Sequence, residues 1–106
     1  MRERVASLSD LVDESAVRVK VGDVPVCLAR TQGEVLAVND VCSHADVSLS
    51  EGDVEDGTVE CWLHGSRFDL RTGAPTGLPA TKPVATYPVT IEGGEVFVEV
   101  TTAVED

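Results

Sequence analysis

Apolar and polar residues alternate along Ala16-Val17-Arg18-Val19-Lys20-Val21, and Gly22-Asp23 follows as a turn. A period of two turns one face of an extended strand toward a core and the other toward water. Val24 to Leu28 continues as a second strand, Thr31-Gln32-Gly33-Glu34 reverses the chain, and Val35 to Val38 returns. Further on, Tyr87 to Glu92, Gly93-Gly94 and Glu95 to Val100 make the strongest hairpin signal in the chain. Valine dominates these runs, and β-branched side chains suit a pleated, half-buried surface. No segment sustains a helical period; Ser9 to Glu14 has room for one serine-capped turn. The expectation is an all-β domain.

The middle of the chain breaks this rhythm. Residues from about 40 to 82 hold five of the nine glycines and two of the five prolines, so their strands must be short. Asp53 to Glu55, Thr58 to Cys61 and Arg67 to Leu70 are the candidates, with Asp56-Gly57 and Thr72-Gly73 as turns. The pattern predicts a single domain in which basal strands, about 1–39 and 83–101, carry an inserted subdomain, about 40–82. The last residues, 101–106, are expected to fray.

Composition narrows the function. The chain has 106 residues, enough for one modest core. It contains no apolar run near the roughly eighteen residues a membrane span needs, and Met1-Arg2-Glu3-Arg4 leads into no signal-peptide stretch. A cytoplasmic protein is expected, without membrane contact, and its three cysteines read as metal ligands plus one spare thiol rather than as a disulfide framework. Nineteen acidic against eight basic side chains give a formal charge of −11. Nucleic acid is therefore a disfavoured partner, because phosphate binding needs Lys/Arg clusters. The acid either solvates a small surface or steers a positively charged partner.

Chemistry concentrates in two short motifs, Cys42-Ser43-His44 and Cys61-Trp62-Leu63-His64. Together they use both histidines and two of the three cysteines. Two thiolates and two imidazoles suit tetrahedral zinc, although zinc sites usually place a cysteine pair ahead of a histidine pair. The interleaved order and the one-residue gap argue against zinc. A zinc-stabilised interaction module, and histidines that are mere surface residues, remain the alternatives.

The interleaved pattern resembles the Rieske-type [2Fe–2S] proteins, in which two histidines replace two cysteines on one iron. The similarity runs beyond the pairs, through Cys42-Ser43-His44-Ala45-Asp46, Leu49-Ser50-Glu51-Gly52, Glu60-Cys61-Trp62-Leu63-His64-Gly65-Ser66-Arg67-Phe68-Asp69 and Thr72-Gly73. In this respect the chain is similar to the Rieske ferredoxins of bacterial ring-hydroxylating oxygenase systems. The resemblance implies the Rieske fold, with antiparallel sheets and a small cluster-binding subdomain set into a basal β-domain. It implies one [2Fe–2S] cluster per chain, with Cys42 and Cys61 on one iron and His44 and His64 on the other. Pro79, within Gly77-Leu78-Pro79-Ala80, falls where the family places a proline-containing loop over the cluster.

Departures from the family sharpen the picture. Rieske subunits of cytochrome bc complexes carry an extra cysteine in each ligand loop; Val47 and Trp62 stand there instead, so no disulfide staple is expected. Ser66 matches the serine that hydrogen-bonds a cluster sulfide in high-potential members, while Phe68 replaces a tyrosine that bonds a ligand sulfur. Hydrogen bonds to sulfur favour the reduced, more negative state. One donor kept and one lost implies the lower part of the roughly −150 to +300 mV Rieske range.

Four other residues stand out. Cys27 sits in an apolar strand and reads as a small core hydrophobe. Trp62 reads as shielding for the cluster or as a docking anchor. Arg67 and Arg71 read as solvated loop cations, with charge compensation or partner contact as the other possibility.

With both histidines committed, a mononuclear oxygenase iron site has no ligands left, and no strand–Gly-rich turn–helix signal supplies a nucleotide fold. The remaining function is a one-electron carrier rather than an enzyme. The resemblance implies a flavin-dependent reductase as donor and an oxygenase-type protein as acceptor. A Rieske ferredoxin tied to iron–sulfur assembly is the second reading, suggested by Gly65-Ser66.

Overall fold

The computed structural model of the chain describes residues 2–42, 47–63, 65–76 and 82–100. His44, His64, Pro79 and the expected frayed end at 101–106 lie outside the described residues. The strands are β1 (Arg2–Ser7), β2 (Ser15–Val21), β3 (Val24–Thr31), β4 (Glu34–Asn39), β5 (Val54–Glu55), β6 (Thr58–Glu60), β7 (Arg67–Asp69), β8 (Thr86–Tyr87), β9 (Val89–Glu92) and β10 (Glu95–Glu99). They form three antiparallel sheets, ordered β1-β10-β9, β2-β3-β4-β8 and β5-β6-β7. The all-β, antiparallel expectation holds. Among the described residues the helical content is two 3-10 turns, Leu8–Asp10 and Leu49–Glu51. The first begins earlier than the Ser9–Glu14 reading, and Ser7 at its N-terminal cap makes no side-chain bond to it. The turn ends where the Leu11 amide bonds the Leu8 carbonyl at 3.1 Å and the Leu11 side chain enters the core.

Strand β3 explains how so small a chain supports two cores. It lies between β2 and β4, and its side chains are buried on both faces. Val26 and Leu28 join Ala37, Val96 and Val98 in a core shared with the β1-β10-β9 sheet. Cys27 and Ala29 point the other way, into a core with Val38, Cys42, Val59, Cys61 and Phe68. Strand alternation alone produces this division. A near-continuous apolar run such as Val24-Pro25-Val26-Cys27-Leu28-Ala29 is what burial on both faces requires.

Two elements differ from expectation. Strand β1 was not legible, because Arg2-Glu3-Arg4 reads as a charged terminus. Its charges are met across the sheet: Arg2 pairs with Glu92 at 3.0 Å and lies 4.3 Å from the Phe97 ring centroid, and Arg4 pairs with Glu95. The expected Tyr87–Glu92 strand is two strands in two sheets. Thr86–Tyr87 pairs with β4, Val89–Glu92 pairs with β10, and Pro88 stands at the crossing. Proline has no amide hydrogen for a ladder, so a strand changes sheets there at little cost. The Gly93–Gly94 hairpin is as expected, with φ of 58° and 82°.

One carboxylate clasps the four-stranded sheet to the small β5-β6-β7 sheet. Glu14 accepts hydrogen bonds from Thr31 Oγ1 at 2.7 Å, from the Gln32 amide at 3.1 Å and from the Asp56 amide at 3.0 Å. Thr31 Oγ1 in turn accepts from the Gly57 amide at 3.1 Å. Glu14, Gln32 and Asp56 are also the described non-glycine residues with positive φ, near 53–58°. Three strained turn residues therefore meet at one side chain, whose bonds hold them there.

The bond from Thr31, then that from Gln32, pulls the Glu14 carboxyl below its ordinary range. A carboxyl depressed on folding stabilises the fold above its unfolded pKa, near 4.3, and that contribution disappears as pH falls through the folded value. Glu14→Gln is therefore expected to lower the thermal midpoint at pH 7, with the gap from wild type closing toward pH 3. Melting curves across that range check it; a pH-independent gap would contradict the clasp.

Candidate metal centre

The two motif cysteines end in like settings. The β6–β7 ladder pairs Glu60 with Arg67, and the next rung joins the Cys61 amide to the Ser66 carbonyl at 2.6 Å. Cys61 thus opens a tight loop that closes at Ser66, with the Gly65 amide also returning to the Cys61 carbonyl at 2.8 Å. Gly65 has φ of 78°, a left-handed conformation that costs glycine little and other residues more. The first loop repeats the device: the Cys42 amide bonds the Val47 carbonyl at 3.0 Å, and Val41 bridges Ser48. Each cysteine therefore leads a loop closed by its own amide onto the carbonyl five residues on.

Both side chains face inward. Cys61 is fully buried and Cys42 is 3% exposed, in the same apolar core as Phe68 and Leu49. Gly52 lets this core close, because a Cβ there would lie 1.7 Å from the Glu60 carbonyl oxygen, one residue before Cys61. Ser66 and Phe68 are both buried beside the second loop. No disulfide joins Cys27, Cys42 or Cys61. Two buried thiols at the heads of two matching loops fit the thiolate half of a binuclear iron site, since soft thiolate donors in apolar surroundings suit iron–sulfur centres. The imidazole half, His44 and His64, lies outside the described residues.

Cys27 shares this core but not its chemistry. It is fully buried, and burial first, with the Asp40 charge second, pushes its thiol far above the ordinary range. The thiol stays protonated and packs as a small hydrophobe, as its apolar strand implied.

Arg67 departs from the solvated reading, while Arg71 keeps it and is also paired. Arg67 is half-buried, donating to Thr58 Oγ1 at 3.0 Å and pairing with Glu60 at 3.4 Å and Glu55 at 3.5 Å. Arg71 pairs with Glu34 at 2.6 Å and donates to Gln32 at 3.0 Å, and the Glu34 contact raises its pKa. Both compensate local acid.

Large apolar side chains are exposed next to both cysteines. Trp62 is 51% exposed and Leu63 46%, directly after Cys61, and Val41 is 39% exposed directly before Cys42. Sequence reasoning missed Asp40, a carboxylate 1% exposed two residues before Cys42. An acid closing the apolar run Val35-Leu36-Ala37-Val38 was the available signal.

Comparison with known proteins gives one consistent result. The family model for the Rieske [2Fe-2S] domain matches residues 2–88. The 3-phenylpropionate/cinnamic acid dioxygenase ferredoxin subunit of Shigella flexneri serotype 5b is 44% identical over 97 residues, covering 91% of each chain. The ferredoxin of carbazole 1,9a-dioxygenase from Nocardioides aromaticivorans IC177 superposes with a TM-score of 0.91 at 37% identity, covering 95% of this chain and 99% of that one. A solved complex of reduced oxygenase and oxidized ferredoxin in carbazole 1,9a-dioxygenase contains a chain with a TM-score of 0.87 at 35% identity, covering 92% and 100%.

Proposed function

The chain belongs to the Rieske [2Fe-2S] domain family, and from that premise we propose that it is the one-electron carrier of a multicomponent oxygenase system. The observation that carries this reading is the pair of buried cysteines, each at the head of a loop closed by the same backbone bond. Cys42 and Cys61 would hold one iron and His44 and His64 the other, one cluster per chain, with Pro79 in the covering loop. Two neutral imidazoles in place of two thiolates leave the oxidised centre formally uncharged, so it accepts one electron at a higher potential than an all-cysteine centre. The protein's part is to exclude water from the thiolates, fix both loops and present the outer end to partners.

That end suits brief docking. Trp62 and Leu63 offer a small exposed apolar contact, and interface anchors are enriched in tryptophan. The net negative charge of the chain would steer a basic partner surface. Relatives named as dioxygenase ferredoxin subunits, and a relative solved in complex with its oxygenase, support an oxygenase-type acceptor over iron–sulfur assembly. A flavin-dependent reductase is the proposed donor, and the aqueous cytoplasm the proposed compartment. Among the described residues no helix is long and apolar enough to cross a membrane.

Reconstitution tests this function. Purified with a flavin reductase and a ring-hydroxylating oxygenase component, the protein should be required for product formation coupled to nicotinamide oxidation. Reduction of the centre by the reductase without onward transfer to any oxygenase would contradict the acceptor.

Ser66 offers a narrower test. It is fully buried at the closure of the second loop, and if its hydroxyl serves a cluster sulfur it favours the reduced state. Ser66→Ala is expected to lower the reduction potential while leaving the melting curve within about 1 kcal/mol of wild type. Redox titration followed by visible absorption checks it; an unchanged potential would remove Ser66 from that role.

A further inference from the structure

Asp40 is the described residue whose chemistry the electron-carrier reading leaves unused. Its side chain is 2% exposed, although it carries a charge and lies two residues from Cys42. Burial of a carboxylate is costly unless hydrogen bonds and an opposite charge compensate it. Here one oxygen accepts from the Ser50 amide at 2.8 Å, and the other accepts from Ser48 Oγ and lies 3.3 Å from Arg18 Nε. The backbone of Asp40 adds two bonds, its amide to the Pro25 carbonyl at 3.0 Å and its carbonyl accepting from the Leu49 amide at 2.6 Å. Asp40 therefore ties the strand entering the Cys42 loop to the segment leaving it, closing the neck of that loop. Arg18, the nearest opposite charge, is 55% exposed on β2 and compensates only in part.

We propose that Asp40 is a positioning residue for the centre: it shuts the neck of the Cys42 loop and, by its buried negative charge, holds the reduction potential down. This rests on the electron-carrier reading of Cys42 and Cys61. The electrostatic half follows from distance. Two residues span at most about 7 Å between Cα atoms, and the carboxylate is 2% exposed, so its charge acts on the centre through protein rather than water. A fixed negative charge there opposes an arriving electron, and Arg18 offsets part of that effect.

The test is a redox titration of the cluster-bound wild type, Asp40→Asn and Arg18→Gln at one pH and one salt concentration. Asp40→Asn keeps the shape and removes the charge, and should raise the reduced-to-oxidised ratio at fixed poise about tenfold, a shift of about 59 mV for one electron. Arg18→Gln leaves the carboxylate less compensated and should shift the potential downward, by less because Arg18 is exposed. Opposite signs are the expected result, since a purely structural role would move both variants the same way or neither. Shifts of one sign, or none, would overturn the proposal. If Asp40→Asn fails to retain iron, the neck-closing role stands and the sign for Arg18→Gln decides the charge. A wild type that binds no iron–sulfur centre would overturn the electron-carrier reading and this inference with it.

Discussion

Cys61→Ser is expected to abolish the visible absorption and reduce bound iron to background, while Cys27→Ala leaves both intact. A serine hydroxyl is of nearly the same size but does not ionise near neutral pH and is a hard donor, whereas an iron–sulfur centre needs soft thiolates. Loss of a partner that only orients a ligand commonly costs 10–100-fold in metal affinity; loss of a ligand should cost more. Cys61 is fully buried at the closure of its loop. Cys42→Ser should behave alike. Cys27 is the internal control, a third thiol in the same core that burial keeps protonated. Iron and acid-labile sulfide analysis of the three variants separates the outcomes. Retention of the absorption in Cys61→Ser, or its loss in Cys27→Ala, would contradict the ligand assignment.

Phe68→Ala is expected to be the most destabilising single core substitution, at about 3–5 kcal/mol. Among the described residues Phe68 is the largest fully buried side chain, directly opposite Val59 on β6 and bridged to Pro75 on its other side. Its removal opens a cavity in the core it shares with Val59, Cys42 and Cys61, and short strands have few other contacts with which to close it. A domain of this size loses roughly 4–8 °C of midpoint per kcal/mol, so the variant should melt at least about 12 °C lower. Phe68→Leu, which keeps most of the volume, should lose under half as much. The half-life of the visible absorption at room temperature should shorten in the same order, because Phe68 packs in one core with Cys42 and Cys61. Calorimetry with absorption decay checks both; a Phe68→Ala protein with wild-type decay would show that this packing does not protect the centre.

How much of this was legible in the sequence depended on whether a residue's role is local. The Cys-x-His and Cys-x-x-His spacing is local, and so were the Gly93–Gly94 hairpin and the alternation of β2. Strand β1 was not, because its charged residues become strand-forming only against Glu92, Glu95 and Phe97, which lie at the far end of the chain. The change of sheet at Pro88 depends likewise on which partner each half finds, β4 or β10. Glu14 and Asp40 read as two more acids in a chain with nineteen. Their roles arise from backbone amides brought to them by folding, at Gln32 and Asp56 for one and at Ser50 for the other. The pairing of Arg71 was hidden for the same reason, since Glu34 comes from a different sheet.

The central claim is that this chain holds a mixed histidine–cysteine [2Fe–2S] cluster and carries one electron on it. A low-temperature EPR spectrum of the purified protein after dithionite reduction, with iron and zinc content on the same sample, tests it most directly. The account predicts two irons per chain and a rhombic signal whose average g value is lower than that of all-cysteine ferredoxins. A silent spectrum with stoichiometric zinc would contradict it.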